Sequence, residues 1–250
     1  MEKNDGRKTN VEHWDSAWKI PVRAKLPSLL NVDILNQVRL LKKFVYPNSR
    51  YLEIGCAPGK LLAYVASSLK ADASGLDYSE SGMESCKQLF DALHLKIPLY
   101  KADLFHHELE PGTYDVVTSF GLIEHFDDPR HAVNRHVELV RPGGVVLIAI
   151  PNYSGIWGKI QKWCDSSNLS LHNLKIMSPD NLKMLVDERL RANCKAYYYG
   201  SVSSWLLSLR KKMPGFLAIL IHLVINFLGL IQPLEINKLA PMLVLEIRKG

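Results

Sequence analysis

The sequence predicts a doubly wound α/β sheet, and three observations carry that expectation. Short apolar strands alternate with helical stretches five times between Tyr51 and Ile150. The last of these strands, Val145 to Ile150, is an uninterrupted apolar run, as burial on both faces of a parallel sheet requires. A glycine-bearing turn, Gly55 to Gly59, links the first strand to the first helix of the alternation.

Each element follows from local pattern. Ile34, Leu35, Val38, Leu41 and Val45 recur at intervals of three and four, which predicts an amphipathic helix from Val32 to Phe44, broken by Pro47-Asn48-Ser49. Tyr51 to Ile54 is the first strand, Leu61 to Leu69 a helix, Ser74 to Leu76 the second strand and Glu80 to Leu93 the second helix. Pro98 to Ala102 and Tyr114 to Phe120 read as strands three and four. Pro129 opens a helix at the turn where proline fits, and that helix stops before Pro142-Gly143-Gly144. Beyond Asn152 the pattern loosens. Ser178-Pro179-Asp180 caps a helix to about Leu190, and Cys194 to Tyr199 is a strand. A basic amphipathic stretch (Ser203 to Lys212) and a very apolar one (Pro214 to Ile231) then precede a last strand, Met242 to Ile247. The apolar stretch is thus an insertion made before the sheet is completed. Near the N-terminus, Trp14 and Trp18 lie four apart. Either they form one helical face folded over something, or both rings pin a tail to the core.

Composition bounds the class. Of 250 residues, 47% are hydrophobic and 22% charged, which excludes disorder, a collagen-like repeat and a disulfide scaffold. The net charge of +6 suits an anionic partner or membrane surface, though it is mild. Cys56, Cys86, Cys164 and Cys194 form no CxxC pair and read as reduced, packed thiols. The opening MEKNDGRKTN is polar, so a secretory leader is not expected and a cytoplasmic location is.

The turn Glu53-Ile54-Gly55-Cys56-Ala57-Pro58-Gly59 carries the most chemistry. Its glycines let the backbone turn tightly and let a ligand approach closely. Amides at the following helix N-terminus can face an anionic group. Dinucleotide dehydrogenases use GxGxxG, whereas this is ExGxxxG with an acid two residues before the first glycine. A carboxylate there suits a ligand carrying positive charge better than a diphosphate. Asp77 ends strand two, where it can accept both ribose hydroxyls of an adenosine. Asp103 follows strand three, where it can accept from an adenine amino group. Three acids at the carboxyl ends of three strands converge on one crevice.

As a set, ExGCAPG, GLD, KADLF, YDVVTSFGLIEHFDDP and LVRPGGVVLIAIPN strongly resemble the class I S-adenosylmethionine-dependent methyltransferases, over about Tyr51 to Asn152. The resemblance is closest to the broad group holding ubiquinone-pathway O-methyltransferases and many methylases of sugars and small metabolites. Ala57 stands where many members carry a second glycine. The resemblance implies a Rossmann-like, seven-stranded sheet with the last strand antiparallel. It divides the single domain into an N-terminal helical cap (1–46), a cofactor-binding core (47–152) and an acceptor-side segment (153–250), the last containing the apolar helical insertion (about 201–235) and the final strand. It further implies that Gly55, Cys56, Ala57 and Gly59 wrap the methionine part of S-adenosylmethionine. Asp77, with Tyr78 beside it, would hold the ribose, Asp103 and Leu104 the adenine, and backbone near Phe120 would face the ammonium. Glu53 would orient the loop or meet that ammonium.

Methyl transfer to a hydroxyl needs a base, and imidazole suits that role. His125 follows strand four at the carboxyl edge, and His172 lies in the segment after strand five where relatives carry acceptor-side residues. Either is a candidate base, and His125 can instead shape its loop. His106-His107 reads as a solvated turn. His131 and His136 cannot share a helix face, so no metal site is expected. For Pro214–Ile231, uncharged and preceded by Arg210-Lys211-Lys212, three readings compete: a transmembrane span, a buried helix or hairpin covering the sheet, and a monotopic segment resting in one leaflet. As a helix, Gly215, Ala218, His222, Asn226 and Gly229 would form one stripe of small or polar residues. The expected reaction is O-methylation of a small or lipid-linked acceptor such as a quinone precursor or sugar, with S-adenosylhomocysteine as product and peripheral membrane contact through 203–231. The rival readings are a catalytically silent cofactor-binding partner of the same fold, a nicotinamide-dependent oxidoreductase, and RNA or protein methylation. No basic, aromatic-interleaved patch supports a nucleic-acid partner.

Overall fold

The computed structural model describes residues 6–19, 25–204, 206–231 and 239–250. In chain order its elements are α1 (Val11–Trp18), α2 (Val32–Leu41), β1 (Arg50–Ile54), α3 (Lys60–Ser68), β2 (Asp72–Asp77), α4 (Glu80–Ala92), β3 (Leu99–Lys101) and β4 (Tyr114–Phe120). Then follow α5 (Arg130–Leu139), β5 (Val140–Pro151), α6 (Ile156–Ser170), α7 (Pro179–Lys183), α8 (Glu188–Arg191), β6 (Cys194–Tyr199), α9 (Gly215–Ile231) and β7 (Met242–Arg248). The seven strands lie in the order β3-β2-β1-β4-β5-β7-β6. The first five run parallel, and β7 is antiparallel to both β5 and β6. The expected seven-stranded sheet with its last strand reversed is therefore present.

The sheet is covered on both faces, which explains its apolar strands. Alternate residues divide between two cores. Tyr51, Val116 and Leu147 pack with α2, α3 and α4, while Leu52, Val117 and Ile148 pack with α5 and α6. The order reverses at β1 and β4, so a crevice opens at their carboxyl ends, where open α/β sheets bind ligands.

Three local expectations are corrected. The strand predicted at Val145 begins at Val140 and runs through Pro142-Gly143-Gly144, because a bulge opposite Tyr114–Val116 absorbs the extra residues. Asp115 anchors that bulge through Arg141 at 2.5 Å. The helix predicted from Ser178 to Leu190 is two short helices, since Asp187 turns extended and caps α8 through the Arg189 amide. Finally, the apolar stretch from Pro214 folds as one helix, Gly215–Ile231, but it is not a buried cover for the sheet. Only Ala218 and Gly229 are buried along it. Nor is any helix among the described residues long and apolar enough to cross a membrane. Part of the predicted insertion, Trp205 and residues 232–238, lies outside the described residues, as do residues 1–5 and 20–24 of the predicted cap.

Candidate active site

The crevice at the switch between β1 and β4 contains a cavity of about 570 Å³, within the range of small-molecule sites. One end is built from the strand-to-helix turns. Gly55 and Gly59 adopt φ of +70° and +82°, a region that side-chain-bearing residues rarely enter. Gly59 also lies where a Cβ would press on Cys86 and Phe90 at 3.0 Å. Asp77 closes this end from β2. Its two carboxylate oxygens accept from the Ala57 amide at 3.1 Å and the Ser79 amide at 2.9 Å, tying the glycine turn to the start of α4. Each oxygen retains a second lone pair for a ligand hydroxyl. Burial pushes the Asp77 carboxyl up, and these amides oppose it.

Gly55, Ala57, Asp77, Tyr78, Asp103, Leu104 and Phe120 all line the cavity, as do His125 and His172. Glu53 beneath the turn, and Cys56 and Gly59 within it, are not on that wall. Glu53 is buried below it, its carboxyl pushed up to about 8 by burial while the Tyr51 hydroxyl at 3.5 Å opposes the shift. A cation bound above would draw that proton off. Cys56 faces the core against Gly75 and Leu62, and all four cysteines are free and buried.

Asp103 is not an open acceptor. Arg7 reaches it at 2.5 Å from the N-terminal segment, and the Phe105 amide donates to its other oxygen. Arg7 also lies over the rings of Tyr78, Phe105 and Phe126. The N-terminal residues thus cross the cavity mouth. Lys8 donates its amide to the His125 carbonyl at 2.7 Å, and Asp15 accepts from the Ser79 hydroxyl and the Ser81 amide at the start of α4. Trp14 and Trp18 stack at 6.0 Å and both line the cavity, so the reading in which they fold over a site holds.

At the other end, the loop after β4 meets the loop after α6. His125 is mostly buried on the cavity wall: its Nδ1 donates to the Leu171 carbonyl at 2.9 Å, which leaves Nε2 as the acceptor nitrogen. The His172 ring lies 4.8 Å away and Tyr153 packs against that ring, while the Tyr153 hydroxyl donates to the Leu206 carbonyl. Burial, helped by His172, pushes the His125 imidazole down to about 3. Its neighbour Glu124 is pushed up to about 8 by burial, and its Oε2 has no hydrogen-bond partner among the described residues. At neutral pH the proton of this pair therefore sits on Glu124.

Sequence spacing pointed away from a metal, yet ligand atoms of Glu124, His125 and His172 come within 4.8 Å of one another. Two segments far apart in sequence make that cluster, so helix spacing could not show it. Tyr153 was also missed as a site residue; its place two residues past the end of β5 was the available signal. Outside the cavity, His136 is fully buried between the Ala132 carbonyl and the Ser119 hydroxyl, and His107 is held by Arg135 and the Leu109 amide instead of being a solvated turn residue.

Comparison with known proteins agrees with this geometry. Residues 52–148 match a family profile described as "Methyltransferase domain". The ubiquinone biosynthesis O-methyltransferase of Burkholderia vietnamiensis is 33% identical over 105 residues, which is 41% of this chain and 44% of that relative. The chain therefore spans less than half the length of the curated relatives it matches. Among solved structures, an S-adenosylmethionine-dependent methyltransferase from Archaeoglobus fulgidus superposes with a TM-score of 0.57 at 17% identity, covering 87% of this chain and 94% of that one. A phosphoethanolamine N-methyltransferase of Haemonchus contortus, solved with S-adenosylmethionine, gives 0.58 at 17% identity over 85% and 52%. Residues 52–148, seated on the reversal of this sheet order, thus form a methyltransferase domain, in a chain with the fold of the S-adenosylmethionine-dependent methyltransferases.

Proposed function

We propose that the cavity holds S-adenosylmethionine at its Asp77 end and that the chain transfers the methyl group to an oxygen of a small or lipid-linked acceptor at its His125 end. The observation that carries this reading is the placement of both ends on one cavity. Asp77 and the glycine turn stand on one side, and Glu124, His125 and His172 on the other. The bound cofactor supplies an electrophilic methyl group on a cationic sulfur. The chain's residues do the remainder. The spare lone pairs of Asp77 accept the ribose hydroxyls, and the backbone at Phe120 and Gly121 faces the ammonium. Trp14 and Trp18 roof the site and exclude water, which strengthens the electrostatics inside.

His125 Nε2 stands ready to accept a hydroxyl proton, since the imidazole is neutral at physiological pH. Burial alone disfavours the resulting imidazolium. Glu124, with Oε1 at 3.9 Å from Nε2, holds its own proton at neutral pH and would stabilise the imidazolium only after giving that proton up. The apolar wall of Leu122, Phe126, Tyr153, Leu171 and Leu206 favours an acceptor with a ring or hydrocarbon portion, of the quinone-precursor kind.

The test is release of S-adenosylhomocysteine with a panel of phenolic, catecholic and sugar hydroxyl acceptors. His125→Ala should lower kcat by about 10²–10⁴-fold, as loss of a general base does, with S-adenosylhomocysteine affinity little changed. Equal losses in turnover and cofactor affinity would show that His125 shapes the loop. Binding without turnover on any acceptor would favour a silent partner protein.

A further inference from the structure

Helix α9 has its polarity reversed. His222 and Asn226, its polar side chains, point into the protein. His222 Nδ1 pairs with the Ser204 hydroxyl at 2.6 Å, and Asn226 accepts from the Val32 amide and donates to the Leu30 carbonyl, each at 2.9 Å. Gly229 and Ala218 are the buried positions, and a Cβ on Gly229 would stand 2.3 Å from the Val202 carbonyl oxygen. The stripe of small and polar residues therefore receives α2 and the 202–204 segment closely. The large apolar residues face outward. Phe216, Leu220, Leu223 and Phe227, at i, i+4, i+7 and i+11, are 76%, 54%, 61% and 60% exposed.

Water is a poor medium for such a face, because monomeric proteins rarely expose contiguous apolar patches beyond a few hundred Å². The residues that lead into the helix identify the medium. Arg210, Lys211 and Lys212 are exposed immediately before α9, while the helix itself carries no charged residue. Lys211 is engaged by Asp165 at 2.6 Å, and Arg210 and Lys212 are the other exposed cations beside the start of the helix. An uncharged apolar surface rimmed by cations complements an anionic lipid surface, with hydrocarbon against the helix and phosphates against the cations. At 17 residues the helix is about 25 Å long, short of the ~30 Å hydrocarbon core, so it fits lying in one leaflet.

We infer that α9 is a monotopic membrane-docking helix that seats the protein on anionic bilayers through its outward apolar face and the Arg210/Lys212 rim. This inference does not depend on the cofactor reading, but it bears on acceptor entry. Ser208 lines both the main cavity and a small groove formed with Arg210, Lys211 and His222 of α9, so the acceptor end lies beside the docking helix.

Vesicle flotation of the full chain tests it, using phosphatidylcholine alone and phosphatidylcholine with phosphatidylglycerol. The protein should float with the anionic vesicles and less with the neutral ones. Reversing the rim charges (Arg210→Glu with Lys212→Glu) should weaken anionic binding about tenfold or more. Leu220→Glu, Leu223→Glu and Phe227→Glu together should weaken it at least about a hundredfold, with circular dichroism showing the fold retained. The rim variant keeps the test decisive if the triple variant fails to fold. A wild-type chain that stays at the bottom of both gradients would overturn the inference. So would a wild-type dimer that the triple variant converts to monomer without vesicle binding in either, since a second copy would then be what covers α9.

Discussion

At the residue scale, the site depends on titratable groups held away from their ordinary states by burial, and this makes stability depend on pH in a definite direction. Glu53 and Glu124 keep their protons in the fold to about pH 8, against an ordinary value of 4.5. The fold thus binds more protons than the unfolded chain between those limits, and this contribution is lost as pH rises through about 8. His125 and His136 act oppositely. They are depressed to about 3 and about 4 from 6.5, so their contribution is present above 6.5 and lost as pH falls. The two sets oppose each other from about 4.5 to 6.5, and above that the carboxyls dominate. The Tm of the ligand-free chain should therefore fall as pH is raised from 6.5 to 8, by ~2–4 °C for each kcal/mol lost. Glu124→Gln should remove part of that slope; an unaltered slope would mean Glu124 is already ionised in the fold. The acids at strand ends were legible because Asp77 and Asp103 sit where strands stop. That Asp103 is engaged by Arg7 was not legible, since only tertiary docking of the N-terminal segment brings the two together. The same holds for His125 beside His172.

At the scale of elements, the glycine turn and strand-helix alternation were readable because each is a local pattern. Strand β4 begins and ends where alternation placed it, while β5 starts earlier because a bulge is a property of the pair of strands. Apolar composition showed that α9 would be a helix of unusual character but left its medium open. The inward positions of His222 and Asn226 show that its large apolar residues face outward. The role of α1 is likewise clear only in three dimensions. Asp15 fastens it to α4 through the Ser79 hydroxyl, which holds the Asp15 carboxyl below its ordinary range, and the Ser81 amide. Asp15→Ala should free this roof and speed S-adenosylhomocysteine dissociation by about 5- to 30-fold, the effect of one or two hydrogen bonds. Stopped-flow displacement measures this directly, and an unchanged rate would show that α1 does not retain the ligand.

At the scale of the molecule, the sheet order fixes the mouth of the crevice, and the chain surrounds it with segments from both sides of the core. The N-terminal helix roofs it, the core supplies the turns, and the segment after β5 supplies Tyr153, Leu171 and His172. The outer segments lie beyond the matched residues 52–148, which is why sequence identified the core chemistry more sharply than an acceptor. The central claim is that this cavity, held by Asp77, takes an adenosine bearing a sulfur-linked amino acid. Isothermal titration of the full chain with S-adenosylhomocysteine tests it most directly. Saturable one-to-one binding is expected, weakened about 10- to 100-fold in Asp77→Ala by loss of the carboxylate that holds both the ribose and the glycine turn. No binding heat, or equal affinity in the two proteins, would contradict the assignment.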